Sequence, residues 1–202
     1  MIIIGLTGGM ASGKSTVSAY LKQNNIPVID CDEESRHVLD KGTNGYNRAV
    51  EEFSSDILAE DGSINRKKLA SIVFADKSLL QKLNSIIHPE VIARTHELLA
   101  EYNANGFGVA VIDAPLLIEA GMHTLCDELW VVYTSPEVQI QRAMARDGAT
   151  LEQVQERIKN QSSMEEKKKL ADRLISNDGT IQELYAAIDK ILKETVKENN
   201  NG

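Results

Sequence analysis

The chain has 202 residues, of which 42% are hydrophobic, and its formal net charge is −8. This length and composition suit one compact enzyme with a small insertion. The acidic balance disfavours a large nucleic-acid surface, which needs clustered Lys and Arg. The two cysteines, Cys31 and Cys126, imply no disulfide framework, and the first apolar run is too short for a signal peptide or a membrane span. We therefore expect a cytoplasmic protein without nucleic-acid or membrane partners, as a monomer or small homo-oligomer.

A phosphate-binding loop is predicted near the N-terminus. Ile2–Leu6 is a short apolar run, typical of a buried parallel strand, and Gly8 to Ser15 fits the P-loop pattern G-x-x-x-x-G-K-[ST]. Gly8 and Gly13 allow backbone conformations that side chains forbid, so successive N–H groups form a nest for phosphate oxygens. Lys14 can reach the β- and γ-phosphates, and the hydroxyl of Ser15 can ligate Mg²⁺. The predicted nucleotide site consists of Gly8, Gly9, Met10, Ala11, Ser12, Gly13, Lys14, Ser15 and Thr16.

Strand and helix patterns alternate along the rest of the chain. Further strands are predicted over 27–30, 108–113, 128–134 and 173–176. Capping boxes mark the start of two helices, Thr150 with Gln153 and Thr180 with Glu183. Such alternation is typical of a parallel sheet covered by helices. We predict an α/β fold with a five-stranded parallel sheet flanked by helices, the P-loop NTPase fold.

The interval between the second and third strands is too long for a simple crossover. It holds helical patterns at Arg66–Phe74 and Asp76–Ile87, and a third that begins at Pro89. Kinases of small molecules place their acceptor substrate in such an insertion. We therefore divide the chain into a core of 1–31, 106–135 and 170–202, a helical substrate-binding insertion of 32–105 and a helical lid of about 136–169.

Two carboxylates, Asp30 and Asp32, stand at the end of the second strand. In open α/β sheets ligands bind outside the carboxyl ends of the strands. Phosphoryl transfer to a hydroxyl needs a group that orients the hydroxyl and accepts its proton. Asp32 lies further from the sheet and suits this role. The alternative, which these residues alone favour, is that both aspartates cap the following helix.

Several longer segments share a specific order and spacing. They are Gly5–Ser15, Ile29–Asp32, Arg66–Leu69 with Val73-Phe74, Leu83–Pro89, Ile112–Glu119, Gln141-Arg142, Arg146-Asp147, Arg157 with Gln161, and Ala171–Asn177. Through them the chain resembles the dephospho-coenzyme A kinase family over essentially its whole length. Met10-Ala11 stands where the family often has Ile-Gly, and Ile118 stands where Phe is common. Neither departure removes a polar group.

The resemblance implies transfer of the γ-phosphate of ATP to the ribose 3′-hydroxyl of dephospho-CoA. The products would be coenzyme A and ADP, in the final step of coenzyme A biosynthesis. Asp32 would then be the base, while Lys14 and Mg²⁺ would neutralise charge on the transferred group. Arg142 best matches the lid arginine of the family. Which of Arg142, Arg146 and Arg157 contacts the phosphates stays open.

Other residues gain an implied role that competes with a structural one. Thr7 would face the reaction centre, or serve as a hydroxyl at the end of a strand. Arg66 and His88 would lie at the CoA site, although His88 precedes a proline that can simply begin a helix. Asp113 would hold an Mg²⁺-bound water, or anchor the P-loop. The loop at Asn177 would lie beside the adenine, or be a plain turn.

Two other functions are compatible with a P-loop. One is a small-molecule kinase with a nucleotide or shikimate-like acceptor, and the other is a nucleotide-dependent protein switch. Guanine-specific switches usually carry N-K-x-D after a strand, and the chain contains no such run. Turnover of dephospho-CoA against a panel of acceptors separates these functions.

Overall fold

The computed structural model describes residues 1–159 and 164–200 of the chain. Gln161, which the family resemblance included, lies outside the described residues. The chain divides into two compact units, which are Met1–Ile29 with Tyr102–Gly202, and Asp30–Glu101. The second unit differs by a few residues at each end from the insertion predicted over 32–105. Each unit has its own hydrophobic core.

A five-stranded parallel sheet forms the centre of the first unit. Its strands are β1 (Ile2–Gly8), β2 (Val28–Asp30), β3 (Val109–Asp113), β4 (Glu128–Tyr133) and β5 (Arg173–Ser176). Their order across the sheet is β2-β3-β1-β4-β5. The strand before the P-loop is therefore central, with Ile4 paired to Val111 and Leu6 paired to Trp130. The predicted fold class is confirmed.

Helices cover the sheet and build the second unit. They are α1 (Lys14–Gln23), α2 (Cys31–His37), α3 (Asn44–Phe53), α4 (Arg66–Ala75), α5 (Lys77–Ala104), α6 (Pro136–Asp147), α7 (Leu151–Lys159), α8 (Met164–Leu170) and α9 (Ile181–Asn200). Apolar faces of α1 and α9 pack against the central strands, which are apolar on both faces as a covered parallel sheet requires. No helix in the described part of the chain is long and apolar enough to cross a membrane.

Both predicted capping boxes are present. The backbone N–H of Thr180 donates to Glu183 at 2.7 Å, and the N–H of Glu183 donates back to the Thr180 hydroxyl at 3.3 Å. The N–H of Thr150 donates to the side chain of Gln153 at 3.0 Å. These reciprocal bonds satisfy N–H groups that have no acceptor inside the helix, so they define where α9 and α7 begin.

The helical break predicted before Pro89 is wrong. The two predicted helices are one, because α5 runs unbroken from Lys77 to Ala104 with Pro89 inside it. Proline removes one N–H from the helix ladder, at a cost of about 3 kcal/mol. Buried residues continue on both sides of the proline, including Ile86 before it and Val91 after it. Each large apolar side chain that is buried stabilises the fold by about 1.5–3 kcal/mol, which offsets the lost hydrogen bond. His88 consequently lies inside a helix and does not precede a helix start.

Candidate functional site

The P-loop connects the central strand to a helix N-terminus. β1 ends at Gly8 and α1 begins at Lys14. Gly13 has a φ of 91° and occupies the N-cap position of α1. A Cβ at Gly8 would lie 2.6 Å from the carbonyl oxygen of Val132. Only glycine fits these two positions, because one needs a left-handed backbone and the other a close approach to β4.

Ala11 is a departure from the family pattern that has a structural cost. Its φ is 56°, a left-handed conformation that a side chain disfavours. Glycine, which the family often has at this position, adopts the same conformation without that penalty. Ala11 therefore holds the loop in a strained conformation.

We expect Ala11→Gly to stabilise the protein by about 1 kcal/mol, because glycine relieves the left-handed strain. For a chain of this size that corresponds to a rise in Tm of roughly 2–4 °C. Gly148→Ala is the matched control and should lower Tm. Gly148 has a φ of 62°, which alanine disfavours, and there is open space around its missing Cβ, so that strain is the only change. Thermal unfolding of both variants checks the sign, and an unchanged or lower Tm for Ala11→Gly would contradict the strain.

Some polar groups of the loop have no hydrogen-bond partner in the described part of the chain. Among the described residues, the backbone N–H groups of Ala11 and Gly13 donate to no acceptor. The hydroxyl of Ser12 is buried and has no hydrogen-bond partner there either. Buried polar groups in folded proteins are nearly always bonded. Together with the positive end of the α1 dipole, these groups make the loop suited to an anion.

Lys14 is paired with a carboxylate at the end of the neighbouring strand. Its Nζ lies 2.5 Å from Oδ1 of Asp113, and Asp113 is only 3% exposed. This pair connects the start of α1 to the end of β3. In this structure, then, Asp113 anchors the P-loop through its lysine, which is one of the two roles considered for it.

Thr7, just before the loop, is completely buried and its hydroxyl donates to the carbonyl oxygen of Pro115 at 3.1 Å. The bond ties β1 to the segment that follows β3. Thr7 has no exposed surface in this structure, so its hydroxyl serves here as a strand-end contact. Contact of Thr7 with a substrate stays a prediction.

The loop after β5 is fastened to the P-loop and to β4. The Asn177 side chain donates to the carbonyl oxygen of Ser12 at 2.8 Å. Its neighbour Asp178 accepts bonds from the hydroxyl of Thr134 at 2.5 Å and from the N–H of Ser135 at 2.7 Å. These bonds, led by that from Thr134, lower the pKa of Asp178 to about 2. Asn177 is thus part of a rigid turn whose amide reaches the nucleotide loop.

The three candidate arginines have different partners. Arg146 and Arg157 both pair with Asp147, at 2.7 Å and 3.0 Å. Arg142 lies one turn earlier on α6 and donates to the backbone carbonyl of Asn177 at 3.0 Å. Among the described residues, Arg142 forms no ion pair with a carboxylate. Of the three arginines, Arg142 is therefore the one whose charge no carboxylate of the described residues neutralises.

Two residues of the segment predicted as a lid, neither of which the sequence analysis singled out, contact this site. The ammonium group of Lys167 on α8 is 1% exposed, donates to the carbonyl oxygen of Pro115 at 2.8 Å and lies 3.1 Å from Glu119. The amide of Gln139 on α6 donates to the carbonyl oxygen of Met10 at 2.8 Å. The one available signal for Gln139 was its position three residues before Arg142, which places both on one face of α6.

Within the second unit, the two aspartates at the end of β2 have different roles. Asp30 caps α2, and its carboxylate accepts from the N–H groups of Asp32 and Glu33 at 3.0 Å and 3.1 Å. Asp32 lies in the first turn of α2 with an exposed side chain, and its carboxylate accepts no hydrogen bond from the described residues. The capping alternative is confirmed for Asp30 and wrong for Asp32.

Arg66 and His88 also lie in the second unit. Arg66 donates to the carbonyl oxygen of Arg36 at 2.8 Å and pairs with Asp40 at 3.2 Å, while keeping 47% of its side chain exposed. His88 is exposed on α5. Neither residue is buried in a core, so both side chains are accessible. Their assignment to a CoA site stays a prediction.

A cavity of about 270 Å³ lies inside the second unit. Its charged lining consists of several glutamates and one arginine, with Arg94 3.7 Å from Glu34. The carboxylates outnumber the cations, which disfavours a phosphate group inside this cavity. The residues that line it are Glu34, His37, Val38, Thr43, Gly45, Glu90, Ala93, Arg94 and Glu97.

Comparison with known proteins identifies the family. The family model described as dephospho-CoA kinase matches residues 2–183. A dephospho-CoA kinase of Carboxydothermus hydrogenoformans is 45% identical, over 95% of this chain and 93% of that protein. The crystal structure of TT1252 from Thermus thermophilus has a TM-score of 0.82 at 32% identity, covering 96% of this chain and 97% of that one. A dephospho-CoA kinase structure from Campylobacter jejuni has a TM-score of 0.75 at 27% identity, covering 98% of both chains. With the P-loop at the end of the central strand, these matches show that the chain belongs to the dephospho-CoA kinase family.

Proposed function

We propose that this kinase transfers the γ-phosphoryl group of ATP to the ribose 3′-hydroxyl of dephospho-CoA. The products are coenzyme A and ADP, so the reaction is the final step of coenzyme A biosynthesis. The observation that carries the proposal is the P-loop of a chain of this family, in which the N–H groups of Ala11 and Gly13 donate to no acceptor among the described residues and Lys14 follows directly. These groups complement the charge of a triphosphate.

The proposed chemistry is an in-line displacement at the γ-phosphorus. The 3′-oxygen of the acceptor forms a bond to that phosphorus, and the bond to the β–γ bridging oxygen breaks. ADP keeps the electron pair of the broken bond, and the hydroxyl proton passes to the carboxylate of Asp32. Lys14 exchanges Asp113 for the β- and γ-phosphate oxygens and stabilises the charge that develops there.

Asp32 is supported as the base by its position in the chain and by a carboxylate that accepts no hydrogen bond from the described residues. It follows the last residue of β2 by two positions, and Asp30 takes the capping role that would otherwise occupy a carboxylate here. The carboxyl ends of parallel strands lie along one edge of a sheet, and ligands bind outside that edge. An exposed carboxylate that accepts no internal hydrogen bond keeps its lone pairs for a substrate hydroxyl.

Magnesium is part of the proposal, with Ser15 as the residue that would hold it and Asp113 through a bound water. No group of three or more His, Cys, Asp or Glu side chains suited to a metal occurs in the described part of the chain. That fits Mg²⁺, which usually keeps several waters and takes one or two protein ligands together with substrate phosphates. When bound, the ion would neutralise charge on the transferred group.

The acceptor would be held by Arg66 and His88. Arg66 is a half-exposed guanidinium that already pairs with a carboxylate, a geometry that also suits a phosphate group.

We also propose a cytoplasmic location. Its support is that Cys31 and Cys126 form no disulfide, as is usual in a reducing compartment.

We expect Arg142→Ala to lower kcat and kcat/KM together, with a smaller change in KM for either substrate. The reason is that its guanidinium should meet charge that accumulates only in the transition state. Arg142→Lys should keep only part of the kcat that Arg142→Ala loses, because an ammonium lacks the planar fork of donors of a guanidinium. Arg146→Ala is the matched control and should do less, since Arg146 is paired with Asp147. Steady-state kinetics at saturating Mg·ATP measure these effects, and an effect on KM alone would end the proposed role of Arg142.

A coupled ADP-release assay tests the proposed reaction directly. Dephospho-CoA is supplied as the sole acceptor, and nucleoside monophosphates and shikimate are supplied in parallel reactions. We expect efficient ADP release with dephospho-CoA alone among them. Comparable turnover of another acceptor, or nucleotide hydrolysis that only a partner protein stimulates, would overturn the proposal.

A further inference from the structure

Two backbone carbonyls of the P-loop are held by side-chain amides from outside the loop. The amide of Gln139 on α6 donates to the carbonyl oxygen of Met10, and the amide of Asn177 donates to the carbonyl oxygen of Ser12, each at 2.8 Å. All four residues belong to the unit that contains the sheet. The held carbonyls are two residues apart and precede Ala11 and Gly13, whose N–H groups have no acceptor among the described residues.

The orientation of these N–H groups follows from the held carbonyls. The peptide bonds are trans, so the C=O and the N–H of one peptide unit point in opposite directions. Because the amide of Gln139 holds the Met10 carbonyl, the N–H of Ala11 must point away from Gln139. The same argument turns the N–H of Gly13 away from Asn177. Ala11 and Gly13 are left-handed, with φ values of 56° and 91°, and Ser12 between them does not have a positive φ. Such alternation is the backbone pattern of an anion-binding nest.

We propose that Gln139 and Asn177 are positioning residues that keep the P-loop nest in its phosphate-binding orientation before the nucleotide arrives. The proposal rests on the nucleotide site proposed above. It gives Asn177 a role that does not involve the adenine base, and it adds Gln139 to the residues that the reaction needs. Neither residue touches the reacting atoms; each acts through a loop carbonyl.

The same two residues connect the nest to the lid arginine. Gln139 and Arg142 are three positions apart on α6, and Arg142 donates to the backbone carbonyl of Asn177 at 3.0 Å. Gly9 permits the close approach of the helix, because a Cβ there would lie 3.0 Å from the amide nitrogen of Gln139. The contacts therefore fix α6 and the turn at Asn177 against the same loop. A nest held in advance binds phosphate without the entropic cost of ordering the loop.

Tripolyphosphate is the probe that tests the proposal, because it has the phosphate chain of ATP and no base. Its Kd is measured by calorimetry on the full chain, for Gln139→Met and for Asn177→Ala. Methionine keeps the length of Gln139 and removes the donor. We expect roughly fivefold weaker binding for each variant, the loss of about one hydrogen bond. KM for ATP should rise, while KM for dephospho-CoA stays unchanged. Gln155→Met, on an exposed position of α7, is the matched control and should bind as the unmodified chain does.

Other outcomes separate failure of this proposal from failure of the nucleotide site. Tripolyphosphate binding that survives Lys14→Ala would count against the site itself. Binding that is lost in Lys14→Ala and unchanged in Gln139→Met would leave the site standing and overturn the positioning role. For Asn177→Ala, weaker ATP binding with unchanged tripolyphosphate binding would assign Asn177 to the base. Thermal unfolding checks each variant, and Gln139→Ala and Asn177→Ser replace any that do not fold, because neither retains a donor that reaches the carbonyl.

Discussion

Lys14→Ala should abolish turnover, with kcat reduced by about 10³-fold or more. Removal of one preorganised donor to developing charge commonly costs 10²–10³-fold, and Lys14 carries a full charge as well. Its ammonium is 2.5 Å from Asp113 in this structure, and it directly follows Gly13, whose N–H donates to no acceptor among the described residues. Single-turnover and steady-state kinetics at saturating Mg·ATP measure the loss.

The pairing with Asp113 means that Lys14→Ala should also lower stability. Asp113 is 3% exposed, and a buried carboxylate that loses a cationic partner raises the free energy of the folded state. The double variant Lys14→Ala/Asp113→Asn is the control, because the amide removes the buried charge. We expect it to recover much of the lost Tm without recovering turnover. A kcat close to that of the unmodified chain in folded Lys14→Ala would contradict the proposed nucleotide site.

Asp32→Asn should lower kcat by about 10²-fold or more, because the amide is nearly isosteric and cannot accept the hydroxyl proton. The affinity for ATP should barely change, since the nucleotide loop is untouched. Rapid-quench measurements of the variant, with ATP affinity measured separately, check both expectations.

Asp30→Asn is the matched control for this prediction. It makes the same change of charge two residues away, and asparagine is as good an N-cap as aspartate. The side-chain carbonyl of asparagine can accept the bonds that Asp30 accepts from Asp32 and Glu33. Asp30→Asn should therefore keep most of its turnover. If Asp30→Asn lost activity and Asp32→Asn stayed active, the roles of the two aspartates would have to be exchanged.

The sequence by itself determined the features whose physics is local. Gly13 is needed for its own left-handed backbone, and a short apolar run followed by G-K-S predicts a strand, a loop and a helix without reference to any distant residue. The capping boxes at Thr150 and Thr180 are equally local, since both partners lie within one turn. The strand and helix positions could be predicted for this reason, whereas the family was recognised through the order and spacing of the matching segments.

The tertiary structure alone decided which polar side chains reach the site. Lys167, Lys168 and Lys169 follow one another in the chain, yet only Lys167 is buried, while Lys168 lies over the ring of Tyr133. Burial of an ammonium costs several kcal/mol unless it is paired, and its partners, Pro115 and Glu119, are supplied by a distant segment. The helical spacing of residues in the sequence therefore does not reveal that Lys167 is paired with Pro115 and Glu119.

The same limit applies to Pro89 and to the two amides at the P-loop. Local propensity predicts a break at Pro89, and packing on both sides of it decides that α5 continues. The side chains of Gln139 and Asn177 donate to backbone carbonyls. Because every residue has a backbone carbonyl, the sequence does not indicate which one each amide will bind. Only the fold brings these amides to the carbonyls of Met10 and Ser12, because a hydrogen bond to the backbone is specified by position and not by residue type.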